Sequence, residues 1–124
     1  MKKLFLVGLV MLAGSAYGEW VVFQKSEKIT QFYDPATIRK DGHMRQVWQL
    51  QNLGRSQQNG AVSLRMLREY DCDKELWRYL SMSAHAEPMA GGTVLETAGE
   101  DNNWNGIRPD SVAELMLNLV CARQ

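Results

Sequence analysis

His43-Met44-Arg45-Gln46-Val47-Trp48-Gln49-Leu50-Gln51-Asn52-Leu53 is the stretch whose reading decides the fold. Met44, Trp48 and Leu50 fall on one face with Gln46. His43, Arg45, Val47, Gln49 and Gln51 fall on the other. A period of two with one largely polar face predicts a strand in an antiparallel sheet that turns one side to water. Trp48 is expected beneath whatever covers the sheet, and the polar face is expected to be open.

Strand and turn signals continue outward on both sides. Downstream, Asn52 to Ala61 is a polar loop with Asn59-Gly60 as its turn. Ser63 to Cys72 alternates again, and Asp71-Cys72-Asp73-Lys74 ends it. Leu76 to Ala86 follows, with Trp77 and Tyr79 on one face; Pro88 to Gly92 is a turn and Gly92 to Thr97 a sixth strand. Upstream, Asp41-Gly42 is a tight-turn signal and Ala36 to Lys40 a brief turn or helical loop. Asp34-Pro35 stops a strand over Ile29 to Tyr33, because proline cannot donate to a ladder. Trp20 to Phe23 is the first strand. The turns are short, so neighbouring strands are antiparallel.

The period changes at the C-terminal end. Val112, Leu115, Met116, Leu119 and Val120 recur at i, i+3, i+4, i+7 and i+8, the stripe of an amphipathic helix. Ser111 with Glu114 is a capping box at its start. The expected fold is α+β: a six-stranded antiparallel meander with one C-terminal helix packed on one face.

The chain has 124 residues, 45% apolar and 23% charged, which suits a folded globular domain. Lys plus Arg number 14 and Asp plus Glu 14, a balance that argues against a dedicated nucleic-acid binder. Residues 1–18 read as a secretory signal peptide: a basic start, an apolar run from Leu4 to Gly14, then Ala16 and Gly18 three and one before a cut. The run is too short to span a bilayer. No cysteine lies near the cut, so neither a lipid nor a membrane anchor is expected, and residues 19–124 form a single exported domain.

Both cysteines, Cys72 and Cys121, lie in the exported part, where an oxidising compartment favours one intramolecular disulfide over two free buried thiols. One detail fits poorly: on a helical wheel Cys121 lies nearly opposite the apolar stripe. No metal or cofactor set is legible. The cysteines lack metal-ligand spacing. Glu69, Asp71 and Asp73 lack the spacing of a calcium loop. His43 and His85 have no nucleophile in a recognisable setting, and Gly91-Gly92 is a hairpin turn, not a phosphate loop. An enzyme is not expected. Arg65, Arg68 and Arg78 form either a modest basic patch or cross-strand pairs with Glu69 and Glu75.

In order along the chain stand Trp20, Phe32-Tyr33-Asp34-Pro35-Ala36-Thr37-Ile38, Gln46-Val47-Trp48, Tyr70-Asp71-Cys72, Trp104 with Ile107, Pro109-x-Ser111, and Val120-Cys121. This series resembles the surface-adhesin protein E family of small exported bacterial proteins. The resemblance implies the same six-stranded sheet and helix and a Cys72–Cys121 link. It further implies binding of host extracellular matrix proteins such as vitronectin and laminin. The family's characterised adhesin is a surface lipoprotein, and this chain departs from it in lacking a lipidation cysteine. The alternative is a periplasmic domain that binds a small ligand or assists envelope assembly. The expected binding surface is the sheet face the helix leaves open, with Arg45, Trp77 and Tyr79, and an unpaired edge strand is available to a homodimer. On this reading Trp77→Ala weakens binding and leaves the fold intact.

Overall fold

A computed structural model describes residues 19–122; the predicted signal peptide, 1–18, lies outside the described residues. In chain order come β1 (Val21–Lys25), β2 (Ile29–Tyr33), β3 (Arg39–Asp41), β4 (Met44–Leu53), β5 (Ser63–Asp71), β6 (Leu76–Glu87), β7 (Gly91–Ala98), β8 (Asn105–Gly106) and α1 (Val112–Cys121). Six strands form a curled antiparallel sheet in the order β1-β2-β4-β5-β6-β7, the expected meander.

Two short strands were not expected, and both share an edge. Leu53 to Gln49 of β4 pair with β2, while Gln46 to Met44 pair with β3 on the same side. Likewise β6 offers one edge to β7 and, further along, to β8. Arg39-Lys40-Asp41 is uniformly polar and exposed, so it carries no alternation to read. Asn105-Gly106 has the composition of a turn.

Between β2 and β3 the chain leaves the ladder at Trp48. Asp34 Oδ1 accepts from the Ala36 N–H (3.0 Å) and caps a single 3-10 turn, Pro35–Thr37, with proline at its start. The Asp34 N–H donates to the Trp48 carbonyl (3.1 Å), and the Trp48 N–H donates to Thr37 Oγ1 (3.1 Å). The backbone of Trp48 is thereby satisfied with no strand residue opposite it on that side.

Register fixes the two faces of the sheet. Arg45 lies opposite Tyr70, Val47 opposite Arg68 and Gln49 opposite Met66; Tyr70 in turn lies opposite Trp77 and Arg68 opposite Tyr79. These residues share the face that α1 covers. Val47 and Tyr70 form a buried core with Met116, Leu117 and Val120, against which Phe23, Tyr33, Trp77 and Leu119 pack. Trp48 points to the other face. Trp48 is thus not beneath the helix, and Arg45, Trp77 and Tyr79 are not on the side away from it, although Leu50, on the same face as Trp48, is fully buried as expected. Summed hydropathy misled because the covered face satisfies its polar residues internally. The Tyr70 hydroxyl donates to Gln49 Oε1 (2.7 Å), and burial pushes that phenol above its ordinary pKa.

The helix is rotated relative to the expected stripe. Its buried residues are Met116, Leu117 and Val120, and Leu115 is 40% exposed. That rotation brings Cys121 round to the sheet, where it is bonded to Cys72 with a Cα–Cα distance of 5.8 Å. At the other end the expected capping box forms: the Ser111 hydroxyl accepts from the Glu114 N–H (3.1 Å), and Glu114 Oε1 reaches back to accept from the Asp110 N–H (2.9 Å), one residue before the cap.

The C-terminal turn of α1 has no basic residue of its own. Arg45 supplies one from β4: its Nε donates to the Val120 carbonyl (3.2 Å), and one terminal nitrogen donates to the carbonyls of Gly42 (2.8 Å) and Met44 (2.9 Å). A cation at a helix C-terminus opposes the negative end of the helix dipole. Two neighbouring strands therefore hold this end of α1, one through Arg45 and one through the disulfide.

Candidate functional site

With the faces assigned, each residue expected to bind can be placed. Arg45 is 2% exposed and held by three carbonyls. Trp77 is half-buried against the helix core, edge-on to Tyr79 with ring centroids 4.9 Å apart. Arg68 is 6% exposed, with its guanidinium carbon 4.5 Å from the Trp77 ring centre and 5.1 Å from that of Tyr79. The structure brings the three expected residues onto one face, the one α1 packs against: Arg45 is buried there, while Trp77 and Tyr79 are each partly exposed.

The opposite face repeats the same chemistry with a different outcome. Arg39 lies opposite Gln46, Arg65 opposite Leu50, and Leu67 opposite Trp48. The Arg65 guanidinium carbon sits 4.0 Å above the Trp48 ring centre, a cation–π geometry. Beside the ring is a hollow of about 460 Å³ lined by Ala36, Thr37, Arg39, Gln46, Trp48 and Leu67. The departure of the chain at Asp34–Thr37 opens it, because no strand covers that side of Trp48.

The three arginines read from the sequence as one patch separate. Arg78 is neutralised: it pairs with Glu69 (2.8 Å) and Glu100 (3.1 Å) and lies 4.9 Å from the Trp104 ring centre. Arg68 is interior. Among the described residues no carboxylate lies within ion-pair distance of Arg65 or Arg39. Trp48 and Arg39 were missed as site residues. The one sequence signal for them was Asp34-Pro35, which ends the strand that would otherwise have covered Trp48.

A second hollow, about 580 Å³, lies on the helix face at the end α1 does not reach, floored by Leu64, Met82 and Ala84 and rimmed by Asn59 and Glu96, whose side chains hydrogen-bond. Buried His85 contacts Ser83 Oγ (2.7 Å); desolvation and the nearby Arg65 charge lower its pKa. Among the described residues no cluster of three or more His, Cys, Asp or Glu side chains is placed to hold a metal, and no helix is long and apolar enough to cross a membrane.

The domain is a small curled sheet with a helix stapled across one face and an aromatic–arginine hollow on the other. Residues 20–122 match the model of the family described as Surface-adhesin protein E, and the chain belongs to that family. Comparison with curated protein sequences gives no match. Among solved structures the chain is similar to several of Haemophilus influenzae protein E. A selenomethionine form has a TM-score of 0.64 at 14% identity, covering 85% of this chain and 93% of that one. A second has a TM-score of 0.63 at 15% identity, covering 83% of each chain. A third, crystal form II, has a TM-score of 0.61 at 15% identity, covering 82% and 92%. At such identity the likeness shows the fold. Family membership makes this an exported, adhesin-like protein that acts on a protein partner.

Proposed function

We propose that this chain is a non-catalytic adhesin that binds host extracellular matrix protein at the cell surface, through the sheet face turned away from α1. The family match over residues 20–122 carries the reading. Trp48, partly exposed with Arg65 stacked on it, supports it, since tryptophan and arginine are the side chains enriched where interfaces concentrate their energy. Vitronectin and laminin are the matrix proteins that the family resemblance puts first. The edge strands β1 and β7 expose Val21, Val22 and Val94, which leaves room for a second copy beside either edge.

Two measurements test this reading. Intact cells are treated with protease, and the purified domain is applied to immobilised vitronectin and laminin. Surface cleavage with saturable binding is expected. Release only with periplasmic contents, and no binding to either protein, would favour the second reading. In that reading the 580 Å³ hollow over Leu64, Met82 and Ala84 takes a small ligand in the periplasm.

A further inference from the structure

Five arginines lie on the strands, and three have their charge absorbed within the fold. Arg45 donates to three carbonyls, Arg68 lies against two aromatic rings, and Arg78 is paired with two glutamates. The remaining two, Arg39 and Arg65, both face the side away from α1 and flank Trp48. Two acids, Asp41 and Glu69, line a hollow with Arg39. Glu69 shares an adjoining hollow with Arg39 but is held by Arg78, and Asp41 is exposed at the end of β3. Among the described residues the site therefore presents two guanidinium groups with no carboxylate paired to them, and Trp48 and Leu67 between them.

We propose that this hollow, with the Arg65 guanidinium stacked on Trp48 beside it, binds an extended acidic segment of the protein partner, with one carboxylate on Arg65, a second on Arg39 and an apolar side chain in the hollow beside Trp48 and Leu67. The inference rests on the adhesin reading and names the chemistry of its partner. Spacing supports it. Arg39 lies opposite Gln46 and Arg65 opposite Leu50, on either side of β4. Four residues along a strand and two strand spacings across put their Cα atoms about 16 Å apart. Two acids four apart on an extended peptide are about 13 Å apart, and the arginine side chains close the difference. A carboxylate accepts two parallel N–H bonds from a guanidinium, which fixes register as well as charge.

Strand addition is not available here, because the backbone N–H and carbonyl of Trp48 are already bonded to Thr37 and Asp34. Recognition must run through side chains. A polyanion such as a sulfated glycan or nucleic acid fits less well: two cations around an apolar centre are not the basic run that such a ligand needs.

The test uses the exported domain and a synthetic eleven-residue peptide carrying two glutamates four apart with a leucine between them, alongside its glutamine counterpart, by titration calorimetry. The glutamate peptide is expected to bind at low salt and the glutamine peptide at least tenfold more weakly, the loss of a charged hydrogen-bonded pair. Arg39→Gln and Arg65→Gln should each weaken the glutamate peptide and the immobilised matrix protein roughly tenfold, and Arg108→Gln, at an exposed loop position before α1, should not. Arg39 is exposed, so its variant keeps the test open should Arg65→Gln melt early. Equal binding of the two peptides, or binding of heparin but of neither peptide, overturns the inference. Wild-type matrix binding by both arginine variants also overturns it and leaves the adhesin reading standing. Failure of the wild-type domain to bind matrix protein while the glutamate peptide still binds in the predicted manner removes the adhesin reading and keeps the acidic-segment site.

Discussion

Arg68 over Trp77 and Arg65 over Trp48 are the same pair of residue types at nearly the same separation, 4.5 and 4.0 Å. The two arginines lie three residues apart on one strand, so pleating sends them to opposite faces. One pair lies under the helix. There Arg68 is 6% exposed, has no carboxylate, and leaves its Nε without a partner. Its desolvation is offset by two rings, and Arg68 also donates weakly to the Tyr79 hydroxyl (3.4 Å). The other pair borders an open hollow. An arginine–tryptophan pair is thus not a binding signature by itself; what covers it decides whether it is core or surface. Here the cover is α1, and what seats α1 is the pair of tethers at its C-terminal end, Arg45 and the disulfide.

Removing the covalent tether should produce the largest effect. Cys72→Ala with Cys121→Ala opens a loop of 49 residues' separation, for which the chain-entropy model gives about 4 kcal/mol. In a domain of this size that corresponds to a fall in Tm of roughly 20 °C by calorimetry. A loss of only a few degrees would mean that Arg45 and the helix core seat α1 unaided.

Helix rotation provides the next test. Leu117→Ala deletes a buried side chain and should cost about 3 kcal/mol in urea unfolding, whereas Leu115→Ala, on the exposed side, should stay within about 0.5 kcal/mol. The converse result would restore the stripe read from the sequence and place Cys121 away from the sheet.

The smallest effect concerns His85, beside Arg65. Burial and the Arg65 charge depress its folded pKa below the ordinary 6.5. As pH falls through 6.5 the unfolded chain takes up a proton that the native state refuses, so stability falls with acidification and is unaffected above pH 7. His85→Gln should flatten that part of the urea-midpoint profile between pH 7.5 and 5. Arg65→Gln should lessen it by removing the repelling charge. An unchanged profile in His85→Gln would remove His85 from the account.

The strands and the helix were legible because each carries a local pattern: alternation in His43 to Leu53, a proline stop at Asp34-Pro35, and a cap at Ser111. Which face the helix covers carries no local pattern. On β4 the covered face holds Arg45, Val47 and Gln49, while the other holds Met44, Trp48 and Leu50, so hydropathy alone points the wrong way. Only the long-range partners of the polar residues, the Val120 carbonyl and the Tyr70 hydroxyl, reverse it. The helix rotation was hidden for a related reason. Val112, Leu115, Met116, Leu117, Leu119 and Val120 surround most of the helix, so its apolar stripe has no sharp centre, and the tethers to Cys72 and Arg45 choose one. The hollow at Trp48 depends on β3, whose polar residues give no signal.

One tryptophan–arginine pair packs against the helix core and the other lies on the opposite face of the sheet. Thermal unfolding of Trp77→Ala and Trp48→Ala, measured side by side, tests it most directly. Trp77→Ala should lose about 3 kcal/mol, a drop of roughly 15 °C, because it uncovers the helix core and strips Arg68 of a ring. Trp48→Ala should melt within about 1 kcal/mol of the wild-type chain. If Trp48→Ala proves the more destabilising of the two, the faces are assigned the wrong way round, and the proposed binding surface is the core of the domain.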